Sequence, residues 1–488
     1  MARVLEDSAA RKLGPGTTLQ HVLRLAQQLN NSNTPFDMKT YEHLLSAYSK
    51  AGKCDKIKLL LKQMKAKDIK PARTFFDKAL QLAARFGNST LQAELLLHME
   101  YYGYPKTTKT YHYMLTCMRE NMELERALDT IEHMKKQGIE PSTLSYMGII
   151  HLAVLLQQPR TAYELLCSAK QLSDFPWHDE FLFLQVLRSS AYHNEYDIVK
   201  TIWEEAVIHK KFKPDEGVCL HVLNTAGKSA DPQLSSSVIE YIGRQGYPYR
   251  ECHFQLLLET FASTGNIIGT FELFNVMRAV GIIPNKKTVA PIVSIFVHDK
   301  NAIEKAKDAL HHIASTNSEK LDIAAFNLVI HVLASSGKNE EAISLLGQID
   351  EFGLKPNNET LDAALDACIH SKDVTLGEEI YKDMLSKGVK KTVSSLNKMV
   401  VLMCTQDDYE DAFKYLEEMK HLGMVPYRGS YYKLVKKLAA SNDSRLNIAL
   451  DDMKDYGYKL STHLEQYIQK AEELEIERKE GLLSSSSW

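Results

Sequence analysis

The chain of 488 residues carries few cysteines, and those it has are dispersed. Cys54, Cys117, Cys167, Cys219, Cys252, Cys368 and Cys404 are never closer than 33 residues apart. With no Cys-x-x-Cys there is no zinc knuckle and no thioredoxin-type pair, and a disulfide-stapled secreted scaffold is excluded. A zinc deaminase module, which needs His-x-Glu followed by paired cysteines, is excluded as well. His311 and His312 are adjacent, so they leave a helix on different sides and make a poor metal site. A Walker loop, a Gly-x-Gly-x-x-Gly and a Gly-x-Ser-x-Gly are all missing. Acidic residues are scattered rather than clustered late in the chain, so no metal-dependent nuclease is visible. The expectation is a protein that is not an enzyme, with no catalytic residue, metal ligand or cofactor. Long apolar runs are lacking too: none reaches the ~18 residues that suggest a membrane span. Nor is there an excess of one charge, since 59 Lys and Arg face 62 Asp and Glu for a net charge of −3. A strong non-specific nucleic-acid binder is normally basic. Such a function would require cations gathered on one surface and acids kept elsewhere.

What the chain does have is a period. Met64, Met99 and Met134 step by 35, as do Gly353, Gly388 and Gly423. The longer gaps fit once two small insertions are allowed: Met134 to Met277 is four periods plus three residues, and Met277 to Met384 is three plus two. A period of 35 holds two helices of three to four turns and two short connections, the signature of a solenoid. Repeats are placed at 38–72, 73–107, 108–142, 143–177, 178–215, 216–250, 251–285, 286–322, 323–357, 358–392, 393–427 and 428–461. The fourth residue of each is an aromatic in eight of them: Tyr41, Phe76, Tyr111, Tyr146, Phe181, Phe254, Phe326 and Tyr431. Recurrence in one register marks a core anchor rather than a cofactor site. In the second helix, apolar residues fall at helical spacing, as in Ala127, Leu128, Ile131 and Met134. A glycine then stops the helix, and a proline such as Pro71, Pro141 or Pro356 prevents its resuming.

The stretches Met134-Lys-Lys-Gln-Gly-Ile-Glu-Pro141 and Gly353-Leu-Lys-Pro-Asn357, with Thr40-Tyr41 and Lys50-Ala-Gly52, resemble the pentatricopeptide repeat (PPR) consensus. The likeness covers 38–461 and is similar to the pure-repeat P class; tetratricopeptide repeats have a period of 34 and a Trp-Leu-Gly-Tyr pattern missing here. The resemblance implies an all-α, right-handed superhelical α-solenoid of about twelve helix-turn-helix repeats, whose first helices line a groove for single-stranded RNA. It implies an organellar (mitochondrial) factor in RNA maturation, stability, splicing or translation. The implied ligand is an mRNA or rRNA. The alternative is a protein-interaction scaffold, or a mitochondrial ribosome or rRNA assembly factor, using the same groove.

In the family, the fifth and last residues of a repeat meet the edge of one base. Asn327 with Asn357 is a standard combination, and by analogy favours a pyrimidine. Gln255 with Asn285 and Asn397 with Tyr427 are half matches. Pairs such as Met147/Trp177 and Leu182/Asp215 depart from the pattern. The second residue, usually an apolar wedge beside the base, is here Lys39, Thr74, Lys109, Leu144, Asp179 and other mixed types. At the thirteenth position Lys50, Arg85 and Lys228 could offer a cation to phosphate, or simply complement a helix end. Before the array, 1–37 is expected to hold a partial repeat whose helix caps the solenoid, with only a faint transit-peptide character because Glu6 and Asp7 are acidic. After it, 462–488 should form a charged capping helix and a tail.

Overall fold

The computed structural model describes residues 15–32, 34–298, 300–317 and 321–479. Among them every regular element is a helix, and twelve antiparallel pairs run from Met38 to Asp455. A helix at Pro15–Asn31 precedes them and one at Thr462–Lys479 follows. The chain divides into two compact units, residues 1–225 and 226–488, the cut falling within the helix Glu216–Lys228.

The repeat register follows from helix capping. The last residue of a repeat is the N-cap of the next first helix, and in most repeats its side chain accepts an orphan N–H, Ala72 and Tyr427 being exceptions. Asp37 accepts from the Thr40 amide at 2.8 Å, and Asn357 from the Thr360 amide at 2.9 Å. Thr392 and Ser395 close a reciprocal capping box. Hence the short polar residues at this position serve the fold first. The fourth-position anchors Tyr41, Phe76, Tyr111, Tyr146, Phe254, Phe326 and Tyr431 are all buried. Each contributes about 1.5–3 kcal/mol by leaving water. At the helix ends, Gly103, Gly138, Gly353 and Gly388 sit at φ between +68° and +89°, which only glycine adopts without cost.

Phe181 breaks the pattern. The fifth repeat's first helix begins at Glu180, not at residue 178, with Asp179 as its N-cap. Phe183 is therefore the buried anchor and Phe181 stands 68 % exposed. Two inserted residues lie in the preceding loop. A third is absorbed in the second helix, which turns from α to π geometry over Trp203–His209; each π turn takes one residue more. The long loop is pinned by Lys210, whose ammonium sits 4.3 Å from the Trp177 ring centre and 4.2 Å from that of Phe183.

Within each unit, successive first helices pack directly on one another, whereas second helices rarely do. The first-helix layer is thus the shorter one and forms the inner wall of the curve. In the first unit it is built from Met38–Lys50, Arg73–Arg85, Thr108–Glu120, Thr143–Leu155 and Glu180–Tyr192.

Candidate nucleic-acid interface

At 100° per residue, positions 2, 5, 6, 9 and 13 of a first helix share one side, with position 12 at its edge. In the first unit, contacts between repeats join residues of this side from one first helix to the next. Position-5 carboxylates reach forward to the next repeat: Glu42 lies 3.6 Å from Lys78 and accepts from the Thr74 hydroxyl, and Asp77 lies 3.3 Å from Lys109. His112 meets Ser145 at 2.9 Å and His151 meets Gln185 at 2.9 Å. Lys109 is held protonated above the usual lysine range by its hydrogen bond to Asp77.

Over repeats 1–5 this wall carries seven cations (Lys39, Lys50, Lys78, Arg85, Lys109, Arg119, Arg188) against three carboxylates (Glu42, Asp77, Glu120). The excess is positive in a chain that is net negative. Lys50 and Arg85 are exposed and each is the last residue of its helix, where a cation also complements the dipole. Lys228 is likewise exposed at the end of Glu216–Lys228.

Over repeats 7–12 the same positions hold four cations (Lys287, Lys398, Lys433, Lys436) and four carboxylates (Glu259, Glu359, Asp362, Asp366). Three of those acids lie on one face of Asn358–Ser371, and their counter-ions are internal. Lys398 is 2.6 Å from Asp366 and donates to the Asp362 carbonyl at 2.5 Å. Ser394 donates to Asp362 at 2.5 Å, and His331 stands 3.6 Å from Asp366. Burial pushes the Lys398 ammonium down and the Asp362 and Glu359 carboxyls up. Burial, with Lys398 nearby, lowers the His331 imidazole to about 4.

Asn327 sits in the middle of this network and is 2 % exposed. Its amide donates to Asn357 Oδ1 at 3.1 Å, and its oxygen accepts from the Thr360 hydroxyl at 2.8 Å. Helix Ile323–Ser335 is buried at every residue except Ile323, His331 and Ser335. Beside it lies a cavity of about 200 Å³ lined by Val289, Val293, Asn327, His331, Glu359 and Asp366 among others. Asn397 is similarly occupied: it donates to the Val393 carbonyl at 2.6 Å and accepts the Tyr427 amide at 2.8 Å, while the Tyr427 ring is exposed. Gln255 donates to Glu259 at 3.2 Å, and half-buried Asn285 accepts from the Lys287 amide at 2.8 Å. The structure thus brings Asn327 to Asn357 and Asn397 to the Tyr427 backbone. Asn327 is spent on tying the first helix of repeat 9 to that of repeat 10, and Asn397 on its own helix and the cap of the next one.

Four family models match the chain: a pentatricopeptide repeat domain at 24–84, the pentacotripeptide-repeat region of PRORP at 58–175, a pentatricopeptide repeat-containing protein at 216–349 and a PPR repeat at 394–424. The chain belongs to the pentatricopeptide repeat family. Among curated PPR proteins, one from Arabidopsis thaliana is 24 % identical over 224 residues, covering 40 % of this chain and 37 % of that one. The mitochondrial 15S rRNA processing factor CCM1 of Yarrowia lipolytica is 23 % identical over 200 residues, 39 % of this chain and 26 % of its own. The match spans well under half the length of either relative. The crystal structure of PPR10 from maize aligns at 16 % identity with a TM-score of 0.37, over 96 % of this chain and 76 % of that one.

In PPR numbering, the two-residue shift in the fifth repeat changes which residues face inward. Its second position is Phe181 rather than Asp179, its fifth is Leu184 rather than Leu182, and Met147 pairs with Asp179 rather than Trp177. The signal was present in sequence: an aspartate at a cap position three residues before Leu182 marks the helix start. The burial of Ile323–Ser335 was partly legible too, because every residue of it except Asn327, His331 and Ser335 is apolar.

Proposed function

We propose that this PPR protein binds single-stranded RNA along its first-helix wall and acts in organellar RNA metabolism, in maturation, stability, splicing or translation of a transcript. The observation that carries this reading is the positive wall of repeats 1–5. Phosphate contacts dominate RNA affinity, and in repeats 1–5 seven cations face three carboxylates on the surface the family uses. Lys39, Lys50 and Arg85 contact phosphate in this reading, with Lys228 in the same role further along. The relative named as a mitochondrial 15S rRNA processing factor supports rRNA as a target class and the mitochondrion as the compartment. Gln255 with Asn285, Asn327 with Asn357 and Asn397 with Tyr427 are the proposed base-reading pairs, the second and third of them only after the hydrogen bonds that occupy Asn327 and Asn397 open.

Changing Lys39, Lys50 and Arg85 together to glutamine tests the reading. Removing three phosphate contacts should weaken binding of a short RNA severalfold or more, and flatten the log–log salt dependence by about 2. Unchanged affinity and slope would remove the basis for this interface.

The neutral, self-paired wall of repeats 7–12 favours a second use, as a surface for a protein partner such as a ribosomal or RNA-processing factor. Crosslinking in cells separates the two readings. A single footprint of about ten nucleotides supports RNA as the principal ligand, at one base per repeat. Scattered RNA with a stable protein complex supports the scaffold.

A further inference from the structure

The outer surface of repeats 1 and 2 is basic and apolar at once. Between Lys53 and Lys70 the chain carries seven lysines against Asp55 and Asp68. The second helix of repeat 1, Asp55–Ala66, buries Ile57, Leu60, Leu61 and Met64 and turns Leu59, Lys62 and Lys65 outward. That of repeat 2, Ser89–Tyr101, turns out Ala93, Leu97 and Tyr101. Leu97 is 67 % exposed, Tyr101 74 % and Leu59 47 %. Two contacts set these helices side by side. Lys58 meets Glu94, 36 residues on, at 2.6 Å, and by the same step the Lys65 ammonium sits 5.9 Å from the Tyr101 ring centre. Lys62 therefore lies level with Leu97 and His98, and Leu59 within one turn of them. These outward residues form one continuous patch, and exposed apolar surface gathered in this way marks an interaction site.

The surroundings select the occupant. The nearest acid, Glu94, is neutralised by Lys58, and Glu100 falls on the flank toward repeat 3. The patch ends at repeat 3, whose second helix Leu124–Lys136 exposes Glu125, Asp129 and Glu132. Before it, the helix Pro15–Asn31 carries no acidic residue and exposes Leu23 and Arg24. Second helices lie on the outside of the curve, so the patch bulges and suits a flat partner better than a peptide that must be gripped. A nucleic-acid backbone would engage the lysines and leave Leu59 and Leu97 without a partner. An anionic lipid surface engages both: leucine and tyrosine enter the boundary of headgroups and acyl chains while lysine ammoniums reach the lipid phosphates. Among the described residues no helix is long and apolar enough to cross a membrane, so the contact is a peripheral one.

We propose that the outer face of repeats 1 and 2 docks on an anionic membrane surface, with Leu97 and Tyr101 at headgroup level and Lys62 and Lys65 on lipid phosphates. The inference does not rest on the RNA reading, which uses the other helix layer of the same repeats.

Flotation of the full chain with vesicles of phosphatidylcholine, alone or with about one-third phosphatidylglycerol, tests it. The wild type should float with the anionic vesicles and not with the neutral ones. Leu97→Ser with Tyr101→Ser, and separately Lys62→Gln with Lys65→Gln, should each lower binding to anionic vesicles about tenfold. All four side chains are exposed, so thermal melts should coincide with that of the wild type. Lys39→Gln with Arg85→Gln, on the first-helix wall, should float as the wild type does. A wild type that fails to float, or floats equally with neutral vesicles, would overturn the proposal. In the first case, binding of poly(Glu) that the Lys62 and Lys65 variant loses would assign the face to an acidic protein. Equal loss of flotation in the Lys39 and Arg85 variant would overturn it by placing the lipid contact on the inner wall. None of these outcomes removes RNA binding, which is measured separately.

Discussion

His331 illustrates how a single side chain ties the inner wall to pH. Its imidazole is kept neutral because burial and nearby Lys398 lower its pKa to about 4, while Asp366 pulls the other way. In the unfolded chain a histidine titrates near 6.5. Between those values the unfolded state takes up a proton that the folded state refuses. The stability His331 contributes is therefore complete above about pH 6.5 and is lost as the pH falls toward 4, by at most about 3 kcal/mol. Glu359 and Asp362 oppose this, since burial raises their carboxyls and the folded state protonates them first. The net slope in the native protein is accordingly smaller. Replacing His331 by Gln nearly keeps the volume and removes the titration. Urea midpoints measured from pH 7 to pH 4.5 should then fall less steeply in the variant than in the wild type. Parallel profiles would show that the imidazole is not the group responsible.

At the scale of elements, the turn between the paired helices is where local chemistry is least uniform. Gly52, Gly87, Gly265 and Gly337 hold it at φ of +60° to +77°, but Met122 and Gln157 hold it at +60° and +58°. In repeat 4 the turn is closed by the Gln158 amide donating to the Ala153 carbonyl at 2.8 Å, so the left-handed residue before it is obligatory. Gln157 is exposed and makes the turn at the usual cost of a side chain in that region. Gln157→Gly should stabilise the protein by about 0.5–1 kcal/mol, the strain relieved exceeding the extra entropy of an unfolded glycine. Gln157→Ala should change little, and a denaturant titration of both separates strain from side-chain loss. Helices, their pairing and most of their ends were legible in the sequence because period, anchor, cap and glycine stop all agree. The fifth repeat was not, because Phe181 and Phe183 both offer an aromatic near the anchor and lie on opposite sides of a helix. Periodicity alone places the insertion anywhere in the loop; only Asp179 as a cap and the clasp of Lys210 on Trp177 and Phe183 fix it. The reading positions were legible as positions but not as states. No spacing rule reveals that Asn327 and Asn397 are already spent on internal hydrogen bonds.

For the whole chain, a solenoid's stability is a sum of repeat and neighbour terms, so a local injury should remain local. Asn327 is the sharpest place to ask whether this holds. It joins the cap of the tenth repeat to the first helix of the ninth, through Asn357 and the Thr360 hydroxyl. Asn327→Ala removes one hydrogen bond from each partner, which keep those they make to each other, and at about 0.5–1.5 kcal/mol per bond should cost about 1–3 kcal/mol. In a chain built of nearest-neighbour couplings, that loss appears as faster amide exchange over residues 323–371, where the network of Asp362, Asp366 and Lys398 is anchored. It should leave exchange over 38–136 unchanged, since that segment has its own core of Tyr41, Phe75, Phe76 and their neighbours. Binding separates along the same line. If the positive wall of repeats 1–5 supplies most of the RNA affinity, the variant should bind a short RNA nearly as tightly as wild type. A drop in affinity matching the drop in stability would mean that repeats 8–10 hold the strand in their closed form, and faster exchange in 38–136 would mean that the array unfolds as one cooperative body.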